Sequence, residues 1–510
     1  MEKKYCFKIE DILFIVLLLG VFLFLGYQNI LFLRPQGIHF MRQTDSISFV
    51  SNFFNEGFDF FNPKLFNLKN IDGKAACEFP IVYYITALFY LVFGEKEFLL
   101  RLFHLIIISA GIFYLYKLTY SLLKDYIYAA LISLFLFTST VFCYYSCNFL
   151  PDPAALGFAF IGWHFFFKYY YSKSGKINIW LSFLFFTLSG LIKITYLINP
   201  LTILVICLTE LFLFKISVQI KKKEIQSCII FGIICVFLVL GWNAYAVYYN
   251  NVNNSHSFNT QALPIWNTPA KEISAIWDLM YNYWYGKYFA FASFHLLFVA
   301  IPFQILFFKK SNKLLSLITL VLFLGSIAYF LLFYNQFRDH DYYFMAFFPV
   351  CIFMLINAVF IFKKTVIKPY FHYLAQFLIL IIIVSGINYA RMKLNDRYES
   401  NFDSFSRIGF LLKDITPELD RLKIPKSSKF VVIPDGCQNG GLYFLNRKGW
   451  NIDKHEDFSL SKIEEFQKKG ADYLLLSVND KNLLTICQEA GEQIYHHGEI
   501  VIFRLNRMQH

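Results

Sequence analysis

The sequence predicts an α-helical polytopic membrane protein of about eleven transmembrane helices carrying a C-terminal soluble α/β domain. Three observations predict it. Of 510 residues, 57% are hydrophobic, 20% aromatic and only 16% charged, a balance that excludes a soluble globular protein, a disordered chain and a disulfide-stapled secreted domain. Apolar runs of about 20 residues, long enough to cross a bilayer, recur through the first 390 positions. From Arg391 to His510, by contrast, 35 of 120 residues are Asp, Glu, Lys or Arg, against 47 in the 390 before them. Charge density thus more than doubles at that boundary, dividing the chain into a membrane part, 1–390, and a water-facing part, 391–510.

Read by apolar length, the spans fall near 12–33, 98–121, 126–146, 154–171, 177–198, 200–217, 226–248, 289–308, 314–334, 343–362 and 370–390. The first apolar run exceeds 20 residues and lacks a small-residue cleavage site, so it is expected to stay as a span. The stretch from Phe79 to Phe93 is apolar too, but 15 residues are short for a crossing, and Pro80, Tyr83, Tyr84 and Tyr90 suit an interfacial helix.

Lysine placement orients the chain. With 79–93 left at the interface, 18 basic residues of short loops gather on one side: Lys3, Lys4, Lys8, Lys117, Lys124, Lys168, Lys173, Lys176, Lys215, Lys221 to Lys223, Lys309, Lys310, Lys313, Lys363, Lys364 and Lys368. The opposite short loops hold only Arg338. The positive-inside rule then makes the N-terminus cytoplasmic and sends three features outside: a first loop 34–97, a second loop 249–288 and the C-terminal domain. Heavy use of Lys, Ile, Asn and Phe favours a bacterial inner membrane with that domain periplasmic.

Within 391–510, the runs 429–434, 472–477 and 499–505 read as strands, and 460–469 and 481–490 as helices, a small α/β pattern. The ten cysteines are scattered without a CxxC pair, the pattern of small buried hydrophobes. Basic residues do not cluster with exposed aromatics, so a nucleic-acid partner has no support. The lipid bilayer is the expected environment.

Ionisable groups at the outer side are the candidates for chemistry. The first loop carries His39-Phe40-Met41-Arg42-Gln43-Thr44-Asp45 just past the first span and Lys74-Ala75-Ala76-Cys77-Glu78-Phe79-Pro80 just before the interfacial helix. Either acid has a plain structural use: Thr44 or Asp45 as cap of a helix 46–55, and Glu78 as cap of the interfacial helix. Further along come Arg101, Asp152 between two prolines, Lys193 with Tyr196 one turn on, and Arg338-Asp339-His340-Asp341-Tyr342-Tyr343. Charges at bilayer depth are usually paired or functional. A snorkelling Lys193 and a turn-forming Asp152 are the bland alternatives. His340 beside two aspartates lacks a spaced partner and is not read as a metal site. The Gly-rich segment Asp435 to Trp450 is a candidate acceptor contact, or an ordinary loop between strand and helix.

Three runs carry a resemblance: MRQTDSISFVSNFFNEGFDFFNP (41–63), CEFPIVYYITALFYLVFGEKEFLLRLF (77–103) and RDHDYYFMAFFP (338–349). An acid soon after the first span, then Glu-Phe-Pro, an interfacial helix and an Arg-Leu opening the second span, resembles the GT-C glycosyltransferases. More narrowly, it is similar to the family 39 group of protein O-mannosyltransferases and lipid A aminoarabinose transferases. The resemblance implies a GT-C fold, a polyprenyl-phosphate-linked sugar donor, a glycan, lipid or protein acceptor, and a carboxylate base early in the first loop, by position Asp45. Two departures stand out. Arg42-Gln43 occupies the place where family members commonly have Asp-Glu or Glu, and Phe79 follows Glu78 where aminoarabinose transferases have Lys.

The chemistry can be stated without the family. A hydroxyl acceptor must lose its proton as it bonds to the anomeric carbon, a task for Asp45 or Glu78. The leaving lipid phosphate needs cations or donors, supplied from Arg42, Arg101, Lys193 and Arg338, with His340, Asp341, Tyr342 and Tyr343 as neighbours and His39, Lys74, Asp152 and Tyr196 as further candidates. The sequence identifies no certain cofactor, and a divalent cation stays open. A flippase for a lipid-linked saccharide and a non-catalytic envelope assembly protein are the alternatives; the one-sided placement of ionisable groups disfavours the first, since transporter sites lie near the midplane.

Overall fold

The structure, a computed structural model, describes residues 8–172, 175–212, 222–258, 261–399, 404–454, 458–478 and 480–506. Lys3, Lys4, Lys173, Lys215 and Lys221 lie outside them. The chain forms two compact units: 1–31, 102–242 and 261–396 in the first, and 32–101, 243–260 and 397–510 in the second.

The first unit is helical. Among the described residues, six helices are long and apolar enough to cross a membrane: Phe98–Leu123, Ile194–Phe212, Glu224–Val252, Lys313–Leu332, Asp341–Thr365 and Pro369–Tyr398. Two bent pairs raise the number to eight, below the eleven expected. The remaining expected spans fall on Ile9–Phe24, Asp152–Ser172 and Lys176–Ile192. At a rise of about 1.5 Å per residue, the 16 and 17 residues of the first and third reach roughly 25 Å, short of the ~30 Å hydrocarbon layer.

The bends answer to identifiable residues. The run expected as one span over 126–146 breaks into Tyr126–Thr138 and Thr140–Ser146, bent by 87°; Ser139 is extended there and its hydroxyl accepts from the amide of Phe142, starting a new helix. The expected second outer loop, 249–288, is also largely helical. Helix Lys222–Val252 runs into it, and 270–288 forms a bent pair with Phe291–Leu306 at 99°.

The second unit cuts across the expected division at 390/391. The first loop folds with the C-terminal segment, because its backbone continues the edge of the C-terminal sheet. The amide of Gly449 donates to the carbonyl of Phe66 at 3.1 Å, and that of Leu68 to the carbonyl of Gly449 at 2.7 Å. Apolar length and charge density do not report such pairing across nearly 400 positions. A Cβ at Gly449 would lie 1.8 Å from the Phe430 carbonyl oxygen, so this crossing needs glycine.

The sheet has five strands: β1 (Phe430–Ile433), β2 (Gly449–Asn451), β3 (Tyr473–Leu476), β4 (Gly491–His497) and β5 (Ile500–Leu505), in the order β2-β1-β3-β5-β4. β1 pairs parallel with β2 and β3, whereas β5 runs antiparallel to β3 and β4. Val431, Ile433, Leu474, Leu476 and Phe503 bury one face with Ile463 and Phe466 of helix Leu460–Lys468 and Leu483 and Cys487 of helix Lys481–Ala490. Helix Ile81–Phe93 has 13 residues, about 20 Å.

Candidate functional site

The second unit gathers the polar groups of the first loop. Helix Phe40–Glu56 begins earlier than expected, with His39 in the left-handed region at φ 58° as its first flanking residue. Thr44 and Asp45 therefore lie inside the helix and cap nothing; the Thr44 hydroxyl turns back to the carbonyl of Met41 at 2.9 Å. Arg42 and Asp45 are three positions apart and so share a face. Twelve residues of this helix are buried, and the polar ones among them must find partners.

Arg42 donates to both carboxylate oxygens of Glu78, and the Tyr83 hydroxyl donates to Glu78 as well. Glu78 thus caps no helix: Ile81–Phe93 has no side-chain cap. Burial works against the charge of Arg42, but the Glu78 carboxylate together with Cys77, Tyr83 and Asp45 outweighs it and holds the guanidinium above its ordinary pKa. Its plane also lies over the Phe258 ring at 5.2 Å. Arg42 Nη1 is buried without a hydrogen-bond partner among the described residues.

Asp45 has different company. It is 2% exposed, accepts a 2.7 Å hydrogen bond from Asn439 Nδ2, and lies 3.4 Å from Gln438 Nε2. Burial pushes its pKa up to about 6, against the opposing pull of Arg42 and the two amides. Burial likewise raises the pKa of the neighbouring Cys77 thiol.

The amides come from Asp435-Gly436-Cys437-Gln438-Asn439-Gly440-Gly441, a loop suggested by the sequence as an acceptor contact but not as a partner of Asp45. Asp435 accepts from the backbone amides of Cys437 at 2.9 Å and Gly441 at 2.8 Å, which folds the loop back on itself. Its own pKa is pushed to about 7, by burial. A Cβ at Gly440 would meet the Phe40 ring at 2.8 Å and one at Gly441 the Asp435 carboxylate at 2.8 Å, so the glycine pair permits the close approach. The amide of Asn67 donates to Asn439 Oδ1 at 3.1 Å. With its oxygen so engaged, Asn439 must turn its NH₂ to Asp45. Asn67 also bonds to the Gln438 carbonyl and to Asn451 Oδ1, closing a buried network.

Two other candidates belong to this unit. Arg101 is fully buried and donates to the Arg34 carbonyl at 3.3 Å. Lys74 pairs by its backbone with Lys64 in an isolated bridge, and its charge, with those of Lys448 and Lys64, holds down the pKa of Asp72.

The first unit holds a second cluster. Lys193 is extended between helices Lys176–Ile192 and Ile198–Phe212. Its ammonium is 3.3 Å from Asp152, whose side chain is 3% exposed, and lies over the rings of Tyr342 at 4.7 Å and Tyr343 at 4.9 Å. His340 stacks with both tyrosines. Asp341 accepts from the Tyr145 hydroxyl at 2.6 Å, and Tyr196 is buried. Arg338 departs from the expected group: its side chain is 53% exposed and pairs with Asp339 at 3.0 Å.

Residues 53–256 match the family model described as dolichyl-phosphate-mannose-protein mannosyltransferase. That range includes Glu78 and leaves Asp45 and the 435–441 loop outside. Among solved structures, the chain is similar to ArnT from Cupriavidus metallidurans bound to undecaprenyl phosphate, at 12% identity, covering 96% of this chain and 97% of that one, with a TM-score of 0.61. The apo state gives 11% identity over the same shares and 0.60. The oligosaccharyltransferase from Archaeoglobus fulgidus, in complex with Zn and sulfate, gives 12% identity over 91% of this chain and 67% of that one, with 0.53. No curated protein matches the sequence.

Proposed function

Proceeding from a multi-pass membrane chain of the GT-C type, family 39-like, we propose that it transfers a sugar from a polyprenyl-phosphate carrier to a hydroxyl acceptor on the outer side of a bacterial inner membrane, with Asp45 as general base. The observation that carries the reading is the contrast between two carboxylates in one unit. Glu78 is neutralised by Arg42 and further occupied by Tyr83, which makes it a weak proton acceptor. Asp45 is buried, accepts its hydrogen bonds from neutral amide donors among the described residues, and has its pKa near 6. Such a group is mostly ionised at pH 7 yet is a stronger base than an ordinary carboxylate.

In the step, the acceptor hydroxyl gives its proton to Asp45 while its oxygen bonds to the anomeric carbon. The bond from that carbon to the phosphate oxygen breaks, and polyprenyl phosphate leaves with the electron pair. A single displacement inverts the anomeric centre. Arg42 presents Nη1, a buried donor still without a partner among the described residues, to negative charge. The undecaprenyl phosphate of the Cupriavidus structure supports this donor class, and the lysine-rich loops support a cytoplasmic N-terminus; a reporter fused after His510 then reads out on the outer side, and a cytoplasmic signal contradicts the orientation.

Mass spectrometry of cell-envelope glycans and glycolipids, with and without the gene, tests the function. Loss of a sugar-sized mass increment on deletion, restored by the wild-type gene, is expected; an unchanged envelope contradicts it.

A further inference from the structure

A cavity in the first unit takes no part in the proposed transfer. Its volume is about 780 Å³, and its walls come from helices Phe291–Leu306, Lys313–Leu332 and Phe348–Thr365. Ile305, Phe308, Leu320 and Phe323 give it an apolar wall of side chains that are themselves exposed. Lys309 and Lys313, both exposed, are its charged lining among the described residues. Wall and rim together suit an amphiphile with a negative head.

A buried amide adds a finer requirement. Gln304 spends its Nε2 on the carbonyl of Ala300 at 2.9 Å, so its Oε1 is left to accept. Asn357 Nδ2 donates to that Oε1 at 2.8 Å and to Ser316 Oγ at 3.2 Å. The amide orientation is thereby fixed. Asn357, 3% exposed and lining the cavity, is left with a buried Oδ1 that has no hydrogen-bond partner among the described residues. A buried carbonyl without a donor is unfavourable, and a ligand hydroxyl in the cavity removes that penalty.

We propose that this cavity is a binding site for an anionic phospholipid with a hydroxylated headgroup, of the phosphatidylglycerol type. Its chains lie along the apolar wall, its phosphate is met by Lys309 and Lys313, and a glycerol hydroxyl donates to Asn357 Oδ1. A zwitterionic head brings a cation toward two lysines, and phosphatidic acid lacks the glycerol donor.

Native mass spectrometry of the full chain in detergent, titrated with phosphatidylglycerol, phosphatidic acid and phosphatidylcholine, tests this. Phosphatidylglycerol is expected to be retained about tenfold more tightly than phosphatidylcholine. Lys309→Gln with Lys313→Gln, two exposed changes, should level the two lipids. Asn357→Leu should weaken phosphatidylglycerol while leaving phosphatidic acid unchanged. Equal retention of phosphatidylglycerol and phosphatidylcholine by the wild type, a preference surviving the double lysine change, or displacement of the lipid by equimolar glycerol phosphate each overturn the proposal.

Discussion

Two carboxylates, one in each unit, are buried to nearly the same degree and put to opposite uses. Asp152 in the first unit has an ammonium 3.3 Å away, so its charge is neutralised locally. Asp45 in the second has two amides that donate hydrogen bonds but carry no charge, and its nearby arginine is committed to Glu78. A buried carboxylate facing a cation is a structural ion pair; one facing neutral donors keeps an appetite for a proton. Partner identity, more than burial, separates a scaffold acid from a candidate base.

Four substitutions press on that contrast. Asp45→Asn keeps the shape and the burial but cannot take a proton, so turnover should fall by about 100- to 10,000-fold while binding of the polyprenyl-phosphate donor persists; turnover within a fewfold of wild type would return the base role to Glu78. Glu78→Gln should act through stability. It leaves the Arg42 guanidinium largely buried without its counter-charge, a loss of about 3 kcal/mol visible as a lower unfolding midpoint in detergent. Lys193→Ala strips the buried Asp152 of its counter-charge, so the unfolding midpoint in detergent should fall about as much as for Glu78→Gln; an unchanged midpoint would show that this pair does not hold the fold. Asn439→Ala is the gentlest. Removing a hydrogen bond to a charged acceptor moves the acidic limb of the rate profile up by about one unit, so activity drops about twofold at pH 7, more below it, and recovers at higher pH.

Some of this was legible in the sequence and some was not, for physical reasons. Apolar runs and lysine spacing mark where helices lie, since both are properties of consecutive residues. The break at Ser139 was missed because a single capping hydroxyl inside an apolar run barely alters its hydropathy. Asp45 stood out by its position after the first span, and strands near 430, 473 and 500 by their β-branched and apolar content. The union of the first loop with the C-terminal sheet was hidden, because Phe66, Leu68 and Gly449 meet through backbone groups that every residue carries. Asn439 was hidden for a related reason: its Gly-rich loop signals a turn, and only the fold reveals that Asn67 orients its amide toward Asp45. Arg338 is exposed and paired with its neighbour Asp339, a pairing that a run of consecutive charges already suggests.

The raised pKa of Asp45 also sets a direction for pH. Between the ordinary carboxylate value of 3.8 and about 6, the folded chain binds a proton that the unfolded chain releases. This carboxyl therefore contributes stability that is complete below that window and fades as pH rises through it, while the ionised base becomes available as pH rises through about 6. The most direct test is the pH dependence of transfer from the polyprenyl-phosphate sugar identified in the envelope, measured for the wild type and for Asp45→Asn. The account predicts a wild-type rate that rises through an apparent pKa near 6 and a residual variant rate without that limb; the same limb in both proteins would contradict it.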